Sequence, residues 1–244
     1  MTIFFCVICL KFTRGIGFVN SREDFQCKIC GSSPRDRAVA LAVRKIKFFK
    51  TLRLQRVQSA IGIADLIVIE NFMNTIFGDR YVNYHFHKSP KIDITRIENE
   101  SVFEADLVIC SDVLEHVQAP VENGFFGLNK ILKDKGILVM SVPHTDVSGS
   151  HIEHFPILKD FRIIEEDKKV LIGTDYEGNL FKKDELIFHG GDGEVLEFRV
   201  FSETSLKQYL SRSNFTKIKE VKNNSFFGIG WEPWSRVWVA KAHK

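Results

Sequence analysis

The chain has 244 residues, of which 44% are hydrophobic and 27% charged, with 16 glycines, 6 prolines and a formal net charge of +3. That length allows one large domain, or one domain with a small module, and the composition excludes a collagen-like, low-complexity or wholly disordered chain. No run approaches the roughly 20 apolar residues of a membrane-spanning helix. The apolar start lacks the basic segment and cleavage site of a secretory signal, so the expectation is a cytoplasmic protein with no membrane insertion.

Charge is unevenly spread. Residues 1–56 carry 12 Lys/Arg against 3 Asp/Glu, and the remainder is net acidic. Such a front segment suits RNA, an acidic substrate, the acidic body behind it, or simply a solvated face. Four of the five cysteines lie in the same segment, at Cys6, Cys9, Cys27 and Cys30. Two Cys-x2-Cys knuckles with a hairpin-length spacer read as a structural zinc ribbon over residues 1–35. Each knuckle brings two sulfurs to one ion, and closed four-sulfur coordination leaves no open position for chemistry. Disulfides are the competing reading, and the lack of a secretory signal speaks against them. A module this small has little core, so the metal would supply most of its folding energy.

Beyond the ribbon, Pro34 and Asp36 mark a helix start. Apolar residues at Val39, Ala42, Val43, Ile46 and Phe49 repeat near 3.6, which predicts a linking helix over 36–56. Strand-like and helix-like runs then alternate from residue 57 onward. Strands are predicted at 58–63, 81–87, 106–110 and 136–142, and helices at 66–77 and 121–132. A helix at 203–213 and strands at 215–221 and 236–242 close the chain. Fully apolar strands between helices indicate a doubly wound α/β sheet covered on both faces, with ligands at the carboxyl ends of its strands. Residues 144–198 interrupt the alternation with glycines and the histidines His144, His151, His154 and His189. They read as a cap inserted in the domain 57–244, with a hairpin near 170–187. Cys110 reads as a buried packing residue, and Phe226, Phe227, Trp231, Trp234 and Trp238 read as core beside the last strand in preference to a surface that stacks a sugar or base.

The run Asp106-Leu-Val-Ile-Cys-Ser-Asp-Val-Leu-Glu-His-Val117 resembles the fourth-strand motif of class I S-adenosylmethionine-dependent methyltransferases. The runs Leu132-Lys-Asp-Lys-Gly-Ile-Leu-Val-Met-Ser-Val-Pro143 and Phe201-Ser-Glu203 are similar to later elements of that family. With the ribbon in front and Phe188-His-Gly-Gly-Asp-Gly193 late in the chain, the sequence resembles a bacterial subgroup tied to glycan synthesis. The resemblance implies S-adenosylmethionine as cofactor beside the structural zinc, and a small-molecule or glycan acceptor.

By the same resemblance, Gly62 and Asp65 belong to the first cofactor loop, Asp93 lies near the adenine with Ile94 packed beside it, and Ser111 lines the cofactor. The first loop departs from the family pattern. It has one glycine where the family carries several, so a side chain meets the space meant for bare backbone. An RNA methyltransferase and a non-catalytic binding or scaffold protein are the alternatives. Methyl transfer to oxygen or nitrogen calls for alignment and a proton acceptor. His116, His144 and Asp112 are the candidates. If residues 112–116 are helical, Asp112, Glu115 and His116 share one face and suit a base or a divalent ion. The sequence does not reveal the oligomeric state.

Overall fold

The computed structural model describes residues 2–17, 25–52, 57–97, 104–145, 151–165, 167–189, 195–230 and 235–244, with backbone alone at 50–52, 189 and 235. At the front, Ile3–Cys6 (β1), Lys11–Ile16 (β2) and Gln26–Cys27 (β3) form an antiparallel three-stranded sheet. Strand alternation turns Phe4 and Cys6 inward, where they pack with Phe25 and Cys27 in a separate small core.

Helix α1 (Pro34–Leu52) starts where its chemistry requires. The Ser33 hydroxyl accepts from Asp36 N at 3.2 Å and the Asp36 carboxylate accepts from Ser33 N at 2.9 Å, a reciprocal cap. Pro34 fills the first turn, where no amide hydrogen is needed. The helix expected as a link does more than link. Residues 34–43 are buried on all sides, and 38–43 join one of the two main cores.

The chain continues through Ala60–Ile63 (β4), Ile67–Phe77 (α2), Tyr81–Tyr84 (β5), Ala105–Ser111 (β6), Glu122–Lys130 (α3) and Leu132–Pro143 (β7). The strand predicted over 81–87 stops at Tyr84 because the chain bends back, His85 N donating to Pro90 O at 2.9 Å. The cap follows. Ile152–Glu153 (β8), Leu158–Glu165 (β9), Lys169–Asp175 (β10), Leu180–Lys183 (β11), Phe188–His189 (β12), Val195–Leu196 (β13) and Arg199–Val200 (β14) make small antiparallel sheets. The predicted hairpin is β10–β11, and β9 adds a third strand. Phe155, Leu158, Leu171, Leu196 and Phe198 give the cap its own core. Glu203–Arg212 (α4), Phe215–Glu220 (β15) and Ser235–Ala242 (β16) complete the chain.

The central sheet has the order β15-β16-β7-β6-β4-β5, with β4, β5, β6 and β7 parallel. It is mixed rather than all parallel, since β16 pairs antiparallel with both β7 and β15. The segment between β15 and β16 supplies no crossover helix among the described residues, and such a return reaches a neighbour only antiparallel. Period-two alternation divides the side chains between the two faces. Ile61, Ile63, Val108, Cys110, Leu138, Met140 and Trp238 meet α3 and α4. Ala60, Leu107, Ile109, Val139 and Val237 meet α1 and α2. β5 and β6 lie on opposite sides of β4, so the order reverses between β4 and β6. The crevice beyond their carboxyl ends is the expected ligand position.

Candidate active site

A chain of polar side chains crosses this crevice. The Ser111 and Ser141 hydroxyls, on the adjacent tips of β6 and β7, stand 2.7 Å apart. Ser141 Oγ donates to Asp112 Oδ1 at 2.8 Å, so Ser111 Oγ is left to donate to Ser141. Asp112 Oδ2 is ion-paired with Arg35, which reaches over from the first turn of α1. Asp112 is held at φ 54, a left-handed conformation uncommon outside glycine. The side chains of Arg35 and Asp112 are 8% and 17% exposed.

The loop after β4 is built around one glycine. A Cβ on Gly62 would fall 2.3 Å from both Asp65 Oδ2 and the Tyr81 hydroxyl. Asp65 does not turn outward toward a ligand, as the sequence suggested. It is buried, its Oδ2 accepts from the Tyr81 hydroxyl at 2.7 Å, and its backbone N and O bond the Asn83 amide. Burial pushes its carboxyl up to about 8. The bend itself falls on exposed Ala64, at φ 55. Further along, Asp93 Oδ1 caps a turn, accepting from Thr95 N at 2.9 Å and Thr95 Oγ1 at 2.6 Å. Ile94 is buried against α3, so tightly that a Cβ on Gly127 would strike its carbonyl oxygen.

Asp112, Glu115 and His116 do not share a helical face. The left-handed turn at Asp112 is followed by one short 3-10 turn, Leu114–His116. Among the described residues, the one group of three or more close metal-ligating side chains is the cysteine quartet. Glu115 is 1% exposed, and burial pushes its carboxyl up to about 8, with Glu197 nearby adding to the shift. His116 Nδ1 bonds the Leu196 carbonyl at 2.8 Å. A carbonyl only accepts, so neutral His116 carries its lone pair on Nε2, 3.9 Å from Glu115 Oε1. His144 is different. Its Nε2 accepts from Trp238 Nε1 at 2.9 Å, and burial lowers the ring to about 4. The one lone pair of the neutral ring is therefore already used, and His144 offers no base in this arrangement.

The cap docks on the same loop. Arg199, fully buried, donates to the Leu114 and Val117 carbonyls and pairs with Glu153. His154 Nε2 lies 3.0 Å from Glu197 Oε1, and His151 Nε2 3.7 Å from Glu153 Oε1. The side chain of His189 and the residues 190–193 lie outside the described part, as do Trp231 and Trp234. Trp238 is core as expected, whereas Phe226 is exposed and stacks on Phe5 of the ribbon.

The sulfurs of Cys6, Cys9, Cys27 and Cys30 all lie within 4.8 Å of one another. Cys6 to Cys30 is 3.6 Å and Cys9 to Cys27 is 3.9 Å, and no disulfide joins them. A tetrahedral zinc with bonds of about 2.3 Å has sulfur–sulfur edges of about 3.8 Å, so the quartet fits that ion.

The methyltransferase-domain family matches residues 14–220. The chain belongs to this family. As a methyltransferase, it has the activity class expected from the motif after β6, with S-adenosylmethionine as methyl donor. No curated protein matches it in sequence. Solved structures show the same fold. An S-adenosylmethionine-dependent methyltransferase from Clostridium acetobutylicum is 10% identical and superposes with a TM-score of 0.50, over 86% of this chain and 92% of that one. A sugar N-methyltransferase from Streptoalloteichus is 11% identical, with a TM-score of 0.49 over 86% and 88%. An amino pentose methyltransferase from Micromonospora echinaspora, bound to its methyl donor, is 13% identical with a TM-score of 0.48 over 86% and 92%.

The residues of the first loop are compatible with the donor in one respect despite the single glycine. The bend of the first loop survives at Ala64, where the obstacle to backbone approach is one methyl group. The acidic side chain of this loop, Asp65, is turned away and buried against Tyr81. The residues that sequence reasoning missed are Arg35, Ser141 and Arg199. For Arg35 a signal existed: it lies four residues before Val39, on the apolar stripe of α1, where a charge is out of place unless paired.

Proposed function

We propose that this protein transfers a methyl group from S-adenosylmethionine to a hydroxyl or amine of a small-molecule or glycan acceptor, on a domain stapled by zinc at Cys6, Cys9, Cys27 and Cys30. The observation that carries this reading is the Ser111–Ser141–Asp112–Arg35 chain at the switch point of a methyltransferase-family sheet. The similarity to sugar-modifying enzymes supports the acceptor class.

When bound, the donor supplies an electrophilic methyl on sulfur. The protein's part is to align the acceptor in line with it and to take the proton the acceptor loses. Gly62 and Ala64 shape the loop, Ser111 stands at the tip of β6, Asp93 is the residue for the adenine end, and Ile94 packs the Asp93 turn onto α3. His116, with Nε2 basic and Nδ1 anchored on the cap, is the proton acceptor. Glu115, pushed toward its neutral form by burial, lies beside it, Oε1 3.9 Å from Nε2. The cap folds over the loop that carries both, which excludes water from the reacting atoms.

An RNA acceptor is not favoured. Arg44 donates to the Val7 carbonyl and covers the Phe72 ring, Lys47 bonds the Ile76 carbonyl and covers Phe77, and Arg37 is fully buried. Arg37 and Arg44 are thus engaged by the fold rather than offered to phosphates, while Lys47 remains exposed at the surface. The test is transfer of a radiolabelled methyl to a panel of amino sugars, nucleotide sugars and structured RNA. Label on a sugar, lost in His116→Ala by about 100-fold or more, is the expected result. Label on RNA alone contradicts the acceptor class.

A further inference from the structure

A cavity of about 440 Å³, a size ordinary for a small-ligand site, lies between residues 94–97, α3 and the turn that follows α4. Ile94 is its one residue already placed beside the donor. None belongs to the Ser111–Ser141–Asp112–Arg35 chain, to the first loop or to the cap. Ser213 lines it with a polar group that the fold does not use. This residue is 1% exposed, and its hydroxyl has no hydrogen-bond partner among the described residues, whereas a buried hydroxyl ordinarily finds one. The backbone there is fixed. Ser213 N donates to the Tyr209 and Leu210 carbonyls at 3.1 and 3.2 Å, and Asn214 follows in the left-handed region at φ 59. Asn129 gives Nδ2 to the Asn214 carbonyl at 3.3 Å, which leaves its amide oxygen to accept elsewhere. Two cations share the same cavity. Lys130 Nζ bonds the Ile97 carbonyl at 3.2 Å, next in the chain to Arg96, and the Arg96 ion pair with Asp93 is loose at 3.9 Å. No acidic side chain among the described residues lines the cavity, and Phe126 adds a half-exposed aromatic ring.

We propose that this cavity binds an anionic sugar, phosphorylated or carboxylated, with the anion at Arg96 and Lys130 and the ring hydroxyls at Ser213, Asn129 and Asn214. The charge of the lining selects the anion. Two cations stand there without an acid in the lining, the ammonium keeps two donors beyond the one it gives Ile97, and the guanidinium fork matches a phosphate or carboxylate in two parallel bonds. The neutral groups select the rest of the ligand. Each sugar hydroxyl both donates and accepts, and so do a serine hydroxyl and an asparagine amide. An apolar ligand would leave the Ser213 hydroxyl as unpaired as before, now shut away from water, which is costly. Phe126 offers its ring to the carbon-bound hydrogens of a sugar face. The inference goes beyond methyl transfer and requires no donor in the crevice.

The experiment is calorimetry on the full, zinc-loaded chain with glucose 6-phosphate, glucuronate, methyl glucoside and inorganic phosphate. One or both of the anionic sugars should bind about 10-fold or more tightly than the neutral sugar and than the bare anion. In Lys130→Met that affinity should fall by about 10-fold, and in Ser213→Ala by about 3- to 10-fold. Ser213→Ala removes a hydroxyl that has no partner in the fold, so its melting temperature should equal or exceed that of wild type. Saturating S-adenosylhomocysteine should leave sugar binding within about 2-fold, because the cavity is separate from the crevice. Phosphate alone binding as tightly as its sugar, displacement by S-adenosylhomocysteine, an unchanged affinity in either variant, a lowered melting temperature in Ser213→Ala, or no binding at millimolar sugar overturns the proposal.

Discussion

Asp65 carries the acidic side chain expected at the cofactor, and the fold uses it instead to lock Tyr81 and Gly62 beneath α2. Its burial has a consequence for pH. An ordinary aspartate ionises near 3.9, and this one is pushed up to about 8. The unfolded chain therefore releases this proton at a lower pH than the folded one, and Asp65 makes stability fall as pH rises from about 4 to about 8. Asp65→Asn should lose less stability than wild type between pH 5 and pH 8 in urea unfolding. An equal loss in both proteins would contradict the assignment. At this scale the sequence was legible where spacing is local. The four cysteines and the buried Cys110 are placed as their positions suggest. The partners of Arg35 and Arg37 were not legible, because Asp112 and Gly228 lie 77 and 191 residues away, even though Arg35's place on the apolar stripe of α1 marked it as needing one.

The elements followed their patterns closely wherever hydrophobic period and turn chemistry agreed. β4, α2, β6, α4 and β15 fall within a few residues of the expected bounds. The departures have local causes, such as the early bend after Tyr84 and the left-handed start of the 112–116 loop, which broke the expected shared face of Asp112, Glu115 and His116. The ribbon and α1 are joined to the sheet by Arg37, which donates to the carbonyls of Phe25, Ser32 and Gly228 and lies 4.4 Å over the Phe4 ring. Arg37→Ala would strand three carbonyls and open a cavity, at a cost of about 3–5 kcal/mol. A lowered melting temperature, with faster amide exchange in β1 and around Gly228, should report it. Arg37→Lys, which cannot span three acceptors, should recover little. Zinc removal acts on the same joint. Plasma mass spectrometry should find one zinc per chain, and chelation should speed exchange across residues 3–16 and 25–33 while the central sheet stays protected. An unchanged exchange pattern after complete metal loss would contradict a structural zinc.

Across the whole molecule, the sequence conveyed the layer arrangement and the motif that marks the family, and the family match confirms the class. It could not convey the antiparallel insertion of β16 or the docking of the cap through Arg199, because both depend on contacts between distant segments. Part of the charge asymmetry that left RNA open is taken up by the fold, since Arg35, Arg37 and Arg44 of α1 have partners inside it. Among the described residues no helix is long and apolar enough to cross a membrane. What unites the ribbon, the sheet and the cap is their convergence on the crevice between β4 and β6. Hydrogen exchange of the full chain with and without saturating S-adenosylhomocysteine tests that convergence most directly. The account predicts slowed exchange at residues 62–65, 93–95 and 111–117 together, with the ribbon-borne start of α1 included. Protection confined to other segments, or none at millimolar ligand, would contradict it.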